Sequence, residues 1–531
     1  MPSDPDNTSL SLARGQDMTR TTETARTGTH TYGQVLKSSA LFGGASLLNI
    51  AIGIVRTKAM AVLLGPGGVG LLGLYGSIAD LAHSIAGMGI NSSGVRQIAA
   101  AVGSGDTERI ARTATVLRRI AILLGVLGAV LLAAFSEQVS AVSFGNEQHA
   151  AAVALLSVAV FFRLVSDGQG ALIQGMRRIT DLAKMVVFGA IYGTLISVAM
   201  VYFLGDDGVA PSLVGVAAMA VFTSWWYSRK LHTQTPTMTA PEFKQEVAAL
   251  LKLGFAFMAS GLMMMGAAYA VRIIVVRQVG FDAAGLYQAA WALGGLYVGF
   301  ILQAMGTDFY PRLTAVASDN TECNRIVNEQ AHVSLLLAGP GVIATLTFAP
   351  LILGLFYTSQ FLAAVDVLRW LCLGMTLRIA SWPMGFIILS KGAQRFFFWS
   401  ELAWTMVYLG LVLMCVSSFG LSGTGIAYFV SYIFHCILIY AIVSQLSGFR
   451  WSAANRRTGL LFLSLIAVVF CGFYLLPPLW ATGLGTLAVF LSGVYSVRVL
   501  LNLVSADQIP GSIWRLLLWF RLADSRSKEC A

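Results

Sequence analysis

The chain has 531 residues, 56% of them hydrophobic and only 11% charged, with a formal net charge of +10. A soluble globular chain carries about 25% charged residues, and a larger core never removes the need for a polar surface, so this composition excludes an ordinary water-soluble domain. Apolar runs long enough for a helix to cross a bilayer recur along the whole length, so the expected fold class is all-α, a polytopic membrane protein with about 14 transmembrane helices. Stretches such as 460–476 are apolar throughout, which excludes the strict alternation of a β-barrel.

Residues 1–34 are polar and rich in Thr, Ser and Arg, without an apolar run. They are expected to form a disordered cytoplasmic tail and to carry no cleavable signal peptide. Crossing segments are expected at 38–64, 71–92, 117–136, 150–175, 184–204 and 209–228, the N-terminal six-helix bundle of residues 35–228. A cytoplasmic linker, 229–250, contains Pro236 and Pro241. A second six-helix bundle, 251–446, holds crossings at 251–277, 284–311, 331–357, 364–390, 395–417 and 423–446. Residues 447–504 add a helix pair at 459–476 and 485–504, and 505–531, which mixes Trp and Leu with Arg, is expected to be an amphipathic cytoplasmic tail on the inner membrane surface. Gly65-Pro66-Gly67-Gly68 marks a tight outside turn, and Pro340, Pro350 and Pro383 are expected to break or kink their helices.

With the N-terminus inside, Arg96, Arg109, Arg112, Arg118 and Arg119 share one inside loop, and Arg177, Arg178, Arg229, Lys230, Arg312, Arg325, Lys391 and Arg450 fall in later ones. The outside loops 65–70, 137–149, 205–209, 278–284, 358–363, 418–422 and 477–484 contain no Lys or Arg. This asymmetry places both termini in the cytoplasm and explains the positive charge without nucleic acid. The six cysteines have no metal-ligand spacing and read as free thiols or packing residues.

A weak internal repeat links the bundles. Ile54-Val55-Arg56, Leu64-Gly65, Gly70-Leu71 and Met88-Gly89 correspond to Val271-Arg272, Val279-Gly280, Gly285-Leu286 and Met305-Gly306. Because an even number of crossings separates the two starts, the repeat is parallel, with an axis along the membrane normal and a substrate site between the bundles.

Ionisable residues within membrane spans are costly and are functional candidates by default. Asn49, Gly53 and Arg56 share one helix face, Arg272 lies inside the seventh crossing, and Arg378 sits deep in the tenth. If Arg56, Arg272 and Arg378 face the centre, with Asn49 on the same face as Arg56, they form a cationic site for an anionic head group, because guanidinium forks match phosphate oxygens. Each arginine could instead snorkel to the surface or pair with a carboxylate, and snorkelling is the reading for Lys58, Arg277 and Arg369. Asp80, His83 and Asp167 are the candidates for ion coupling. Arg163 and Asp167, four residues apart, are expected to pair on one helix, and His435 is expected to be a hydrogen-bonded packing residue. Asp308 and Glu401 sit close to helix ends.

Short loops without a phosphate-cradling glycine loop, a paired acidic metal motif or a nucleophile elbow argue against an enzyme and imply no metal and no cofactor. A membrane glycosyltransferase or ligase is the rival class that this observation opposes.

Several stretches resemble the Wzx-type O-antigen translocases, the polysaccharide transporter branch of the multidrug/oligosaccharidyl-lipid/polysaccharide flippase superfamily. They are Lys58–Leu71, Ala86–Ile90, Gly170–Arg177, Tyr310–Leu313, Ile388–Lys391 with Arg395–Phe397, and Gly420–Ile426, within about residues 35–446. The resemblance implies a flippase of the bacterial inner membrane that moves an undecaprenyl-pyrophosphate-linked glycan between leaflets by alternating access. Its implied partners are that glycan, membrane lipid, and a polysaccharide polymerase or other assembly proteins. A lipid II flippase and a drug/cation antiporter of the same superfamily remain alternatives. The resemblance supplies no catalytic residue.

Overall fold

In hydrocarbon every backbone amide must find its partner within the protein, and this chain meets that demand with helices. The computed structural model describes residues 7–231 and 238–503, and every regular element among them is helical. The α-helices are α1 (Asn7–Gly87), α2 (Ile90–Ser104), α3 (Thr107–Ala134), α4 (Ser136–Phe144), α5 (Ala150–Gly175), α6 (Ile179–Leu204), α7 (Val209–Ser228) and α8 (Ala240–Gln278). They continue with α9 (Phe281–Ala315), α10 (Asn320–Thr347), α11 (Ala349–Phe356), α12 (Val365–Ser390), α13 (Gln394–Phe419), α14 (Ser422–Ser447), α15 (Ala453–Leu475) and α16 (Pro478–Leu503). Among the described residues, 11 segments are long and apolar enough to cross a membrane. Of these, Gly44–Gly87 and Ile179–Ser228 each contain two helical limbs, and α9 coincides with a further expected crossing, so each expected crossing falls on a helix. Large apolar side chains such as Val62, Leu123, Leu195, Phe203, Leu460 and Phe490 are exposed, as a lipid-facing surface requires.

The break in α1 is built at Gly65, whose φ of 65° and ψ of −170° leave the helical region. Glycine adopts this positive φ without a Cβ clash, and the following Pro66 disfavours a helical conformation before it. The chain turns back there. Arg56 and Ser77 line one cavity, although an unbroken helix would hold them about 30 Å apart.

Several helix bounds differ from the expected segments. The helical backbone of α1 starts at Asn7, through most of the 1–34 segment expected to lack structure; no proline intervenes between Pro5 and Pro66 to stop it. The linker expected at 229–250 is shorter, because α8 begins at Ala240. There Thr239 and Glu242 form a reciprocal capping box, with the Thr239 amide donating to Glu242 at 2.8 Å, and Pro241 occupies the first turn. Glu242 is held below the usual carboxylate range chiefly by that amide bond. Inside the expected loops lie two short helices, α2 and α4. Of the three prolines, Pro350 starts α11 after a break at Phe348, whereas Pro340 and Pro383 lie within continuous helices. The tail 505–531 lies outside the described residues.

Helices α1, α3, α5, α6 and α7 pack on one another, and α12 runs among α9, α10 and α14 with Leu368, Leu371, Met375 and Ile379 buried. Small residues bring helices close, as at Gly168 against Ala121 and Gly128 against Ala86. The two groups meet where α1 packs on α9, and α15 and α16 lie on α10.

Candidate functional site

Helical periodicity builds the site. On the first limb of α1, Gly53, Arg56, Thr57 and Met60 follow the i, i+3, i+4, i+7 spacing of one face. On the second limb Gly73, Gly76, Ser77 and Asp80 do the same. With Arg272 from α8 and Gln288 and Ala292 from α9, these faces enclose a cavity of about 340 Å³. Glycines hollow it: a Cβ at Gly53 or Gly76 would meet nothing within 4 Å.

Two arginines line this cavity without a carboxylate bonded to either. Arg272 donates Nε and Nη2 to Gln288 Oε1 at 3.0 and 2.7 Å, and Nη1 to the Ala268 carbonyl at 3.0 Å. These acceptors are neutral, so its charge is oriented but not cancelled. Arg56 is partly buried, and among the described residues it has neither a hydrogen bond nor a salt bridge. Asp80 is the acid that lines the cavity, and it is bound to Arg163 of α5 at 2.6 Å.

The acids pair differently from the sequence reading. Arg163 bonds Asp80 rather than Asp167, and Asp167 bonds His83 at 2.8 Å. Thus the i, i+3 pair on α1 and the i, i+4 pair on α5 interlock as two parallel bridges between helices. The correct partners are 83 and 84 residues apart, so no local spacing could reveal them.

Arg378 belongs to a different cavity, also about 340 Å³, that it lines with Trp382, Glu401, Trp404, Tyr432 and His435. The three arginines therefore do not share a single chamber. Glu401 Oε1 and His435 Nε2 lie 3.7 Å apart, which identifies a polar partner for His435. Asn49 is exposed and lines neither cavity. The side chain of Asp308 lies outside the described residues.

The cations expected to snorkel also clamp neighbouring elements. Lys58 donates to the Gly354 carbonyl at 2.9 Å and to that of Tyr357, tying α1 to the end of α11. Arg277 reaches the Ala141 carbonyl of α4. Arg369 is buried, 3.7 Å from Asp366 and 3.8 Å above the Phe473 ring of α15. In each case the helix neighbour, invisible in a single span, decides the direction of the side chain.

At one end of the bundles, here termed the Gly65 end, the two groups of helices touch through glycine. A Cβ on Gly285 would collide with the Pro66 carbonyl, and one on Gly70 with the Phe281 carbonyl. Gly70 and Gly285 are the residues that the sequence repeat makes equivalent. At the opposite end, a Cβ on Gly89 would collide with the Gly254 carbonyl.

A family profile described as "Polysaccharide biosynthesis protein" matches residues 59–366. The lipid III flippase of Escherichia coli (strain K12) is 20% identical over 398 residues, covering 75% of this chain and 95% of that protein. Among solved structures, an inward-facing multidrug resistance MATE family transporter of the MOP superfamily aligns with a TM-score of 0.64 and 18% identity, covering 76% of this chain and 96% of that one. The lipid II flippase MurJ in an inward closed conformation aligns with a TM-score of 0.62 and 12% identity, covering 87% of this chain and 100% of that one. At these identities the structural likeness establishes the transporter fold.

Proposed function

Because the chain belongs to the family of polysaccharide biosynthesis proteins, we propose that it is a flippase carrying an undecaprenyl-pyrophosphate-linked oligosaccharide across the bacterial inner membrane. The observation that carries this reading is the pair Arg56 and Arg272 on one cavity, with no carboxylate bonded to either. A pyrophosphate supplies the missing negative charge and enough oxygens to accept both guanidinium forks. The lipid III flippase relative supports a lipid-linked glycan as the cargo class.

The sign of the charge distinguishes this reading from a drug/cation antiporter. A cationic substrate calls for uncompensated acid in the cavity, whereas Asp80 is matched by Arg163. A lipid II flippase would use the same pyrophosphate chemistry and differ only in the glycan. No residue is assigned a bond-breaking role. The Lys- and Arg-free loops support placing the Gly65 end outside and both termini in the cytoplasm.

In the mechanism we envisage, Gln288 keeps the Arg272 fork aimed into the cavity, and Arg56 closes on the phosphate from the facing limb. The lipid tail stays in the bilayer while the glycan crosses between the bundles. Opening then alternates between the Gly65 end and the Gly89 end. Deletion of the gene, followed by leaflet-resolved analysis of lipid-linked glycans, tests the proposal. Pyrophosphate-linked units should accumulate on the cytoplasmic leaflet, and normal delivery of those units to the outer leaflet would refute it.

A further inference from the structure

The Arg378 cavity is not needed to hold a pyrophosphate, and its chemistry differs from that of the Arg56–Arg272 cavity. Its walls are aromatic: Trp382 from α12, Trp404 from α13, Tyr432 from α14 and Trp291 from α9. Charged groups are set among these rings, with Arg378 on one wall and the Glu401–His435 pair on another. A prenyl chain would leave those charges unsolvated, at a cost that grows with burial. A bare anion would make no use of the aromatic wall. A pyranose ring satisfies both, because it offers an apolar C–H face to an aromatic ring and a rim of hydroxyls to charged side chains.

Two further features favour a polar, ring-shaped occupant. Trp404 Nε1 and His435 Nδ1 are buried and have no hydrogen-bond partner among the described residues. Buried donors and acceptors are rarely left unpaired in folded proteins, and a shift of the two rings would let ligand hydroxyls complete them. The volume of about 340 Å³ lies within the range of small-molecule sites, roughly 300–1,000 Å³. The cavity is also within reach of the first. Trp291 lines it one turn along α9 from Gln288, which lines the arginine cavity, so the two are neighbours across a single helix.

We propose that the Arg378 cavity is a saccharide subsite, in which the sugar rings next to the pyrophosphate stack on the aromatic wall while Arg378 and the Glu401–His435 pair hold their hydroxyls. The inference takes its ligand from the flippase reading and adds a second, chemically separate contact to it.

The test uses the full chain in lipid nanodiscs and two kinds of probe: farnesyl pyrophosphate, and farnesyl pyrophosphate carrying N-acetylglucosamine, galactose or glucose. At least one glycosylated probe should bind about ten-fold more tightly than the sugar-free one, the gain expected of a single well-stacked ring with its hydrogen bonds. Trp404→Leu should abolish that gain and leave farnesyl pyrophosphate binding unchanged, which also shows that the variant is folded. Trp404→Phe should restore part of it. Arg272→Ala should weaken every probe alike. If no glycosylated probe gains over the sugar-free one, or if the gain survives both Trp404→Leu and Trp382→Leu, the subsite is refuted while the pyrophosphate site stands. If the wild-type protein binds neither kind of probe, the flippase reading falls, and the subsite with it.

Discussion

Arg272 aims three donors at neutral acceptors and keeps its charge for something else. A lysine there would retain the charge but lose the fork that Gln288 orients. Arg272→Lys should therefore transport poorly, about ten-fold below wild type, and Arg272→Gln should be inactive, both at normal membrane abundance. Reconstitution with a fluorescent pyrophosphate lipid measures this, and wild-type flux in Arg272→Gln would remove the residue from the pathway. Asp80 makes a different prediction. The Asp80 and Arg163 side chains are 49% and 38% exposed, so their bridge contributes only about 0–1 kcal/mol to stability. Asp80→Asn should leave the melting temperature almost unchanged, yet it adds net positive charge to the cavity by releasing Arg163. If Asp80 also carries the coupling ion, flux in this variant should lose its dependence on a proton gradient. Equal gradient dependence in the variant and the wild type would refute that role. Charged residues within apolar runs were readable from the sequence, because nothing but function or pairing keeps them there. Their partners were not. The bond from Arg163 to Asp80, rather than to Asp167 one turn away, depends on how α5 is rotated against α1.

The helices themselves were largely readable, since an uninterrupted apolar run has few alternatives. What escaped was amphipathic or short. In α2 the buried Ile90, Ser93, Gly94, Ile98 and Ala101 form one stripe on an otherwise polar helix, too short to cross a membrane and hidden among loop arginines. Pro241 looked like a linker residue but begins α8, where its missing amide costs nothing. The last two helices gave no sign of their packing role, although it is specific. Phe462 of α15 is fully buried and fills the space over Gly339 of α10, and Gly485 of α16 faces Thr347. Asn455 donates to the Asn328 carbonyl at 2.7 Å, fixing the register of α15 on α10. Emptying the slot by Phe462→Ala should cost about 3 kcal/mol, read as a lower melting temperature in detergent, with transport retained at low temperature because the cavities are untouched. Loss of binding without a change in melting temperature would mean that α15 belongs to the substrate path instead.

For the whole molecule, the decisive feature is that the contact at the Gly65 end joins residues that the repeat makes equivalent. Gly70 and Gly285 approach so closely that either Cβ would strike the opposing backbone, as expected where two copies of one motif meet near a symmetry axis. In this structure the contact is closed, backbone against backbone, with the Asp282 and Gln360 side chains beside it. Transport by alternating access requires it to break in every cycle, and a covalent link across it should stop turnover. Gly67 and Asp282 provide the positions, since a Cβ on Gly67 would lie 2.7 Å from Asp282 Oδ1. In a background lacking the native thiols, Gly67→Cys with Asp282→Cys should form a disulfide on mild oxidation and lose flux, and reduction should restore it. The oxidised protein should still bind a pyrophosphate probe from the Gly89 end, because the Arg56–Arg272 cavity lies between the two ends and closing one leaves the other free to open. Continued transport by a fully cross-linked population would mean that this end never opens. The cargo would then have to leave sideways through the lipid-facing flank, and the two bundles would not rock against each other at all.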